Sequence, residues 1–335
     1  MSEITAETFP ASSARELAVV VRNGFVESRH LGSAIVIDQH ADVIREIGDP
    51  QAPVIPRSTL KPFQAIAVMN AGVGLRGAAA VLATASHAGT QRHVSVVRSI
   101  LAQAGLTEDA LQCPADWPAD RAARDELVRD GSGPSPVYMN CSGKHAAMLL
   151  ACATNGWPID TYLDVDHPLQ RAILDVIERF TGEKPQATAV DGCGAPVHAI
   201  SLAGLARGIG RVRTSSPTSP FALYRNAGIL TQAVLADGWA LDGVGRDNTL
   251  VIDRLGVLAK LGAEGVMVMA APDGTTVAAK ILDGSLRAAT VVALRLLTDA
   301  GALSQNDVDD LLPQLHLEVL GGGQPVGMIQ VSATL

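Results

Sequence analysis

The sequence predicts a mixed α/β (α+β) fold in which one antiparallel sheet is covered by helices, with a helical lobe inserted between its early and late strands. Three observations carry this expectation. Short apolar runs broken by turn residues crowd the first fifty positions, apolar residues then recur at helical spacing, and two further strand-like runs meet at a turn near Asp273. A chain ordered as strands, helices, strands and helix folds most simply with its early and late strands in one sheet.

Residues 17–22, 32–38 and 42–47 read as three strands of an antiparallel meander. After Pro56 the period lengthens, and 60–71 follow as a helix opened by Arg57-Ser58-Thr59, whose hydroxyls suit a helix start. Helices also fit 93–104, 142–155, 168–180, 201–206, 221–236 and 286–299. Between the apolar runs 265–270 and 275–281, Pro272-Asp273-Gly274 marks a hairpin. No repeat or low-complexity linker divides the chain, so 1–335 reads as a single domain, with a sheet lobe at about 16–56 and 250–335 and a helical lobe at about 57–249.

Composition narrows the function. Hydrophobic residues make up 47% and charged residues 18%, the balance of a chain that buries a full core. A net charge of -8 without any basic stripe argues against nucleic acid or an anionic membrane as partner, since both attract clustered Lys and Arg. The N-terminal MSEITAETFP is acidic where an export signal needs basic residues followed by an apolar stretch, and no apolar run nears the roughly 20 residues of a membrane span. The expectation is a cytoplasmic protein acting on a small molecule. Cys113, Cys141, Cys152 and Cys193 form no Cys-x-x-Cys pair, and a reducing compartment disfavours disulfides. Among 26 basic residues only Lys61, Lys144, Lys184, Lys260 and Lys280 are lysine. Lysine, unlike arginine, can lose its proton when desolvated, so these positions are candidates for a neutral amine.

Ser58 and Lys61 stand three apart at a predicted helix start, which puts hydroxyl and amine on one face and lets the amine take the serine proton. A second cation such as Lys144 or Lys260 would help keep that amine neutral. Chance alone supplies roughly 0.3 Ser-x-x-Lys matches in a chain of this composition, and a capped helix with a solvated lysine is the plainer interpretation of the motif alone. Other clusters add weight: Ser86-His87-Ala88-Gly89, Asn140-Cys141-Ser142-Gly143-Lys144-His145, Asp191-Gly192-Cys193-Gly194 and Lys260-Leu261-Gly262-Ala263-Glu264-Gly265 each set glycine beside reactive groups. Asp191 offers a carboxylate to a cationic group of a substrate. His93 and His145 fit capping and packing better than a serine triad, and the plain alternative for the cysteines is burial.

Arg57-Ser58-Thr59-Leu60-Lys61-Pro62-Phe63-Gln64, Ser86-His87-Ala88-Gly89, Cys141-Ser142-Gly143-Lys144-His145, Asp191-Gly192-Cys193-Gly194 and Lys280-Ile281-Leu282-Asp283-Gly284 together resemble the thermolabile, Rhizobium-type L-asparaginase family, asparaginase II. The likeness runs over about residues 16–299. It implies a fold similar to serine β-lactamases and glutaminases, hydrolysis of L-asparagine to aspartate and ammonia, and a homodimer. It also implies two serine-lysine pairs in one pocket, Ser58 with Lys61 and Ser86 with Lys260. Ser58 is the expected attacking group and Ser86 a relay. Asp191, His87, Gly89 and Gly192 would contact the substrate, and Cys141, Lys144 and Cys193 would hold zinc in a modulatory role. The β-lactamase Ser-Asp-Asn and Lys-Thr-Gly triplets are absent, which disfavours penicillin chemistry. The alternatives are a glutaminase or another serine-lysine amidohydrolase, and a non-catalytic amino-acid or zinc-binding protein.

Overall fold

The computed structural model describes residues 6–335, and the first five, part of the N-terminal run read against an export signal, lie outside the described residues. The chain opens with a meander of β1 (Arg15–Arg22), β2 (Phe25–Ile37) and β3 (Val43–Ile47), then a short β4 (Pro53–Val54) and a 3-10 turn over Arg57–Leu60. Helices α1 (Lys61–Asn70), α2 (Gly77–Leu82), α3 (Gln91–Gln103), α4 (Arg121–Arg129), α5 (Ser142–Asn155) and α6 (Pro168–Thr181) follow. Next come β5 (Ala187–Val190), β6 (Pro196–Ser201), α7 (Leu202–Thr214), α8 (Ala222–Ala236) and α9 (Asp247–Leu255). The chain ends with β7 (Leu258–Gly262), β8 (Val266–Ala270), β9 (Thr276–Ile281), α10 (Ala289–Asp299), α11 (Gln305–Leu311), β10 (Glu318–Gly321) and β11 (Gln324–Val331).

The early and late strands share one antiparallel sheet in the order β10-β11-β1-β2-β9-β8-β7, with β3 paired to β2. Every residue of β8 and β9 is buried, so both faces of the sheet are covered there, and α7 and α10 pack on these strands. The expected antiparallel sheet covered by helices is therefore what the chain forms. The hairpin over 265–281 is in place, with Val266 opposite Lys280 and Ala270 opposite Thr276.

Within the mostly helical middle of the chain, β6 and β5 join the earlier β4 in a second, three-stranded sheet not expected from the sequence. Strand β6 is buried at every position, so it shows no alternation by which a strand could be told from a helix. The helix expected over 201–206 runs on to Thr214, since Ser201 caps it by accepting from the Gly204 N–H and Gly208 and Gly210 do not end it.

Candidate active site

Ser86 lies in the loop between α2 and α3, and two backbone bonds hold that loop. The Ser86 N–H donates to the Leu241 carbonyl (2.9 Å) and the His87 N–H to the Asn140 carbonyl (3.1 Å). Lys61, the first residue of α1, sends its amine inward, where Nζ donates to the Ala85 carbonyl (2.6 Å) and sits 3.0 Å from Ser86 Oγ. From the other side comes Lys260 on β7, its Nζ donating to the Leu261 carbonyl (2.8 Å) and lying 2.9 Å from the same oxygen. Burial, and after it the positive charge of Lys61, pushes the Lys260 amine down to about 7. Near neutrality Lys260 is thus neutral in a substantial fraction of molecules, with a lone pair free to accept the Ser86 proton.

Ser58 sits in the 3-10 turn, half-buried, while Lys61 behind it reaches Ser86. Both lysine amines meet on Ser86, and among the described residues the Lys61 amine makes no hydrogen bond to the Ser58 side chain, the two residues being joined only by the Lys61 backbone N–H donating to the Ser58 carbonyl. Ser58 nevertheless flanks the same region, for β7 passes directly against its turn. A Cβ on Gly262 would lie 2.6 Å from the Pro56 carbonyl oxygen and 3.4 Å from Ser58 N, so this approach requires glycine. Arg57 holds a left-handed backbone (φ 52°). Its Nε donates to Asp191 Oδ1 at 2.6 Å and its guanidinium lies 3.8 Å from Glu264. Sequence gave Arg57 no role. Its signal is a non-glycine residue at positive φ, which only the backbone reveals.

The expected substrate contacts separate. Asp191 reaches the region beside Ser58 through Arg57, and its Oδ1 also accepts the Gly192 N–H (2.9 Å). Gly192 is exposed, and Gly89, at φ 72°, is buried against Tyr138 and Pro118. His87 turns toward the start of α5. Its ring is fully enclosed, with Nε2 at 2.9 Å from Ser142 Oγ and Nδ1 accepting the Gly89 N–H at 3.1 Å. Both ring nitrogens are occupied, so contact with substrate would require breaking this packing.

A second cluster lies at the start of α5. The Lys144 amine donates to Cys193 Sγ at 3.0 Å, the neighbouring Cys141 thiol donates to Asn140 Oδ1 at 2.9 Å, and the Lys144, Cys193 and Cys141 side chains are all buried. The neighbouring Cys141 thiol, with the Lys144 charge, holds Cys193 well below the usual thiol range despite burial, whereas Cys141 is pushed up. Burial opposes charge on Lys144, yet the neighbouring Cys193 and Cys141 outweigh it and raise the amine. His145 adjoins this sulfur. Its Nδ1 meets the Tyr162 hydroxyl at 2.7 Å and its buried Nε2 has no partner. Among the described residues no three His, Cys, Asp or Glu side chains group as a metal site, so a metal here would need the Lys144 nitrogen beside the two sulfurs. Two soft sulfurs and one nitrogen converging in a buried pocket suit zinc.

A model of the L-asparaginase II family matches residues 18–331. No curated protein matches the chain. Among solved structures, a Bacillus glutaminase is 12% identical with a TM-score of 0.44, covering 81% of this chain and 91% of that one. Mglu in its tris and glutamate form is 12% identical at a TM-score of 0.40, covering 82% of this chain and 60% of its own. Mglu in its glutamate form is 13% identical at 0.39, covering 82% and 62%. The family match reaches from β1 to the end of β11, so the chain belongs to the L-asparaginase II family.

Proposed function

We propose that this amidohydrolase cleaves the side-chain amide of L-asparagine, releasing aspartate and ammonia, with Ser86 as nucleophile and Lys260 as its base. The observation that carries this reading is the meeting of two buried amines on one hydroxyl, at 2.9 and 3.0 Å. Neutral Lys260 accepts the Ser86 proton as Oγ attacks the amide carbon, and the Lys61 amine, still donating, offsets the negative charge developing there. The protonated Lys260 returns its proton to the departing nitrogen, which leaves as ammonia. Water then attacks the acyl ester, Lys260 takes its proton, and aspartate and free Ser86 result. Ser58 sits in the turn against which β7, the strand of Lys260, passes, and Asp191, steadied by Arg57, supplies a carboxylate for the substrate α-ammonium.

Cys141, Lys144 and Cys193 would hold zinc. When bound, the ion supplies a fixed positive charge and a rigid tie at the start of α5. The test of the overall reading is ammonia release by the purified protein from asparagine and from glutamine. Turnover of asparagine in clear excess over glutamine is expected. Faster turnover of glutamine would identify a glutaminase, because one methylene is worth only about 1–3 kcal/mol of discrimination. No ammonia from either substrate would leave only a binding protein.

A further inference from the structure

The residue after the proposed nucleophile is tied down more firmly than packing requires. Ser142 Oγ carries one hydrogen and donates it to the Val137 carbonyl at 2.8 Å. The 2.9 Å contact with His87 Nε2 must then be donated by the ring, while Nδ1 accepts the Gly89 N–H. His87 is thereby fixed as the neutral Nε2–H tautomer with neither nitrogen left over. His93 repeats the pattern, since Nδ1 accepts the Thr90 N–H (3.2 Å) and Nε2 donates to the Trp239 carbonyl (3.1 Å). The two rings stack at 5.2 Å, His93 lies 5.3 Å from the Trp239 ring, and the Arg92 guanidinium covers that ring at 3.4 Å. A column of four side chains thus runs from the surface to the loop that carries Ser86.

We propose that His87 is a positioning residue for Ser86: through Ser142 it clamps the serine loop to the first turn of α5 and so keeps Ser86 Oγ within reach of both amines. The proposal rests on Ser86 being the attacking group. Backbone bonds from Ser86 to Leu241 and from His87 to Asn140 fix the height of the loop, and the His87 side chain fixes its rotation against α5. The same turn of α5 carries Lys144 and follows Cys141, so the clamp also joins the serine loop to the sulfur cluster. The Nε2 proton of His87 goes to Ser142 and neither ring nitrogen bonds Ser86, so its effect is on placement alone.

The experiment measures kcat, KM and the pH-rate profile on asparagine for His87→Gln, His87→Asn and Ser142→Ala, beside Ser86→Ala. A glutamine amide nitrogen can stand near the place of Nε2 and keep the bond to Ser142, whereas asparagine reaches only the place of Nδ1. His87→Asn and Ser142→Ala should lower kcat about tenfold or more, with KM within about twofold and the pH midpoint unmoved. His87→Gln should recover much of the loss. The clamp is refuted by a rise in KM at constant kcat, which marks a substrate contact, by a moved midpoint, which marks proton transfer, or by an unchanged kcat. If His87→Asn does not fold, Ser142→Ala decides alone, since it leaves the imidazole in place. Turnover retained in Ser86→Ala would instead remove the assignment of the nucleophile, a failure read on a different variant.

Discussion

Lys144 and Lys260 are equally buried, each 2% exposed, and desolvation bears on both, yet their amines move in opposite directions. Lys260 faces another lysine and falls to about 7. Lys144 faces the Cys193 sulfur and rises. Burial pushes both amines down, and the sign of the nearest charge decides whether that push is reinforced, as at Lys260, or overcome, as at Lys144. One lysine is prepared to accept a proton from serine, and the other is held as the cation of an ion pair, or as a ligand once a metal takes the place of its proton.

The largest effect that would sharpen this contrast is Lys260→Met, which should lower kcat/KM for asparagine about a thousandfold. Lys144→Met should lose far less. Equal losses would erase the distinction between the two sites. In the unaltered protein, the active form requires neutral Lys260, so kcat/KM should rise about tenfold per pH unit below 7 and level off above it. Removing the Lys61 charge takes away one cause of the depression, so the residual activity of Lys61→Met should titrate at a higher pH than that of the parent. A midpoint that stays in place would separate the two amines.

Next in size is the sulfur cluster. Cys193→Ser should weaken zinc binding about a hundredfold, measured by competition with a chelator. Binding unchanged by that substitution would locate any metal elsewhere. The smallest effect concerns the seat of the cluster. A Cβ on Gly143 would lie 2.6 Å from the Leu82 carbonyl oxygen and 2.9 Å from Leu82 Cβ, so Gly143→Ala forces α5 off α2. Urea unfolding should show a loss of about 1–3 kcal/mol, and no loss would mean that this contact yields freely.

Local signals in the sequence placed much of the fold. The hairpin at Pro272-Asp273-Gly274 and the spans of α5 and α6 could be read because turn chemistry and a wide apolar stripe are local properties. Helix α4 buries no residue and α2 is six residues long, so neither shows a readable stripe. Strand β7 was hidden by its lysine and glycine, residues that read as a loop until the sheet buries them. The site shows the same limit. Its residue types stood in the motifs, but the pairing of Lys61 with Ser86 rather than Ser58 depends on how α1 packs, and no spacing encodes that. Likewise the ring of His87 bonds to Ser142, 55 residues away, a partner that no local spacing marks. Gly322 and Gly323 form the turn between β10 and β11, at the edge of the sheet opposite β7 and Lys260.

The claim on which the account rests is that the two amines serve Ser86. Ammonia release from asparagine by Ser86→Ala and Ser58→Ala, both shown to be folded, tests it most directly. Ser86→Ala should lose activity about a thousandfold or more while Ser58→Ala keeps a clearly larger share. The reverse order, with Ser58→Ala inactive and Ser86→Ala turning over, would contradict it.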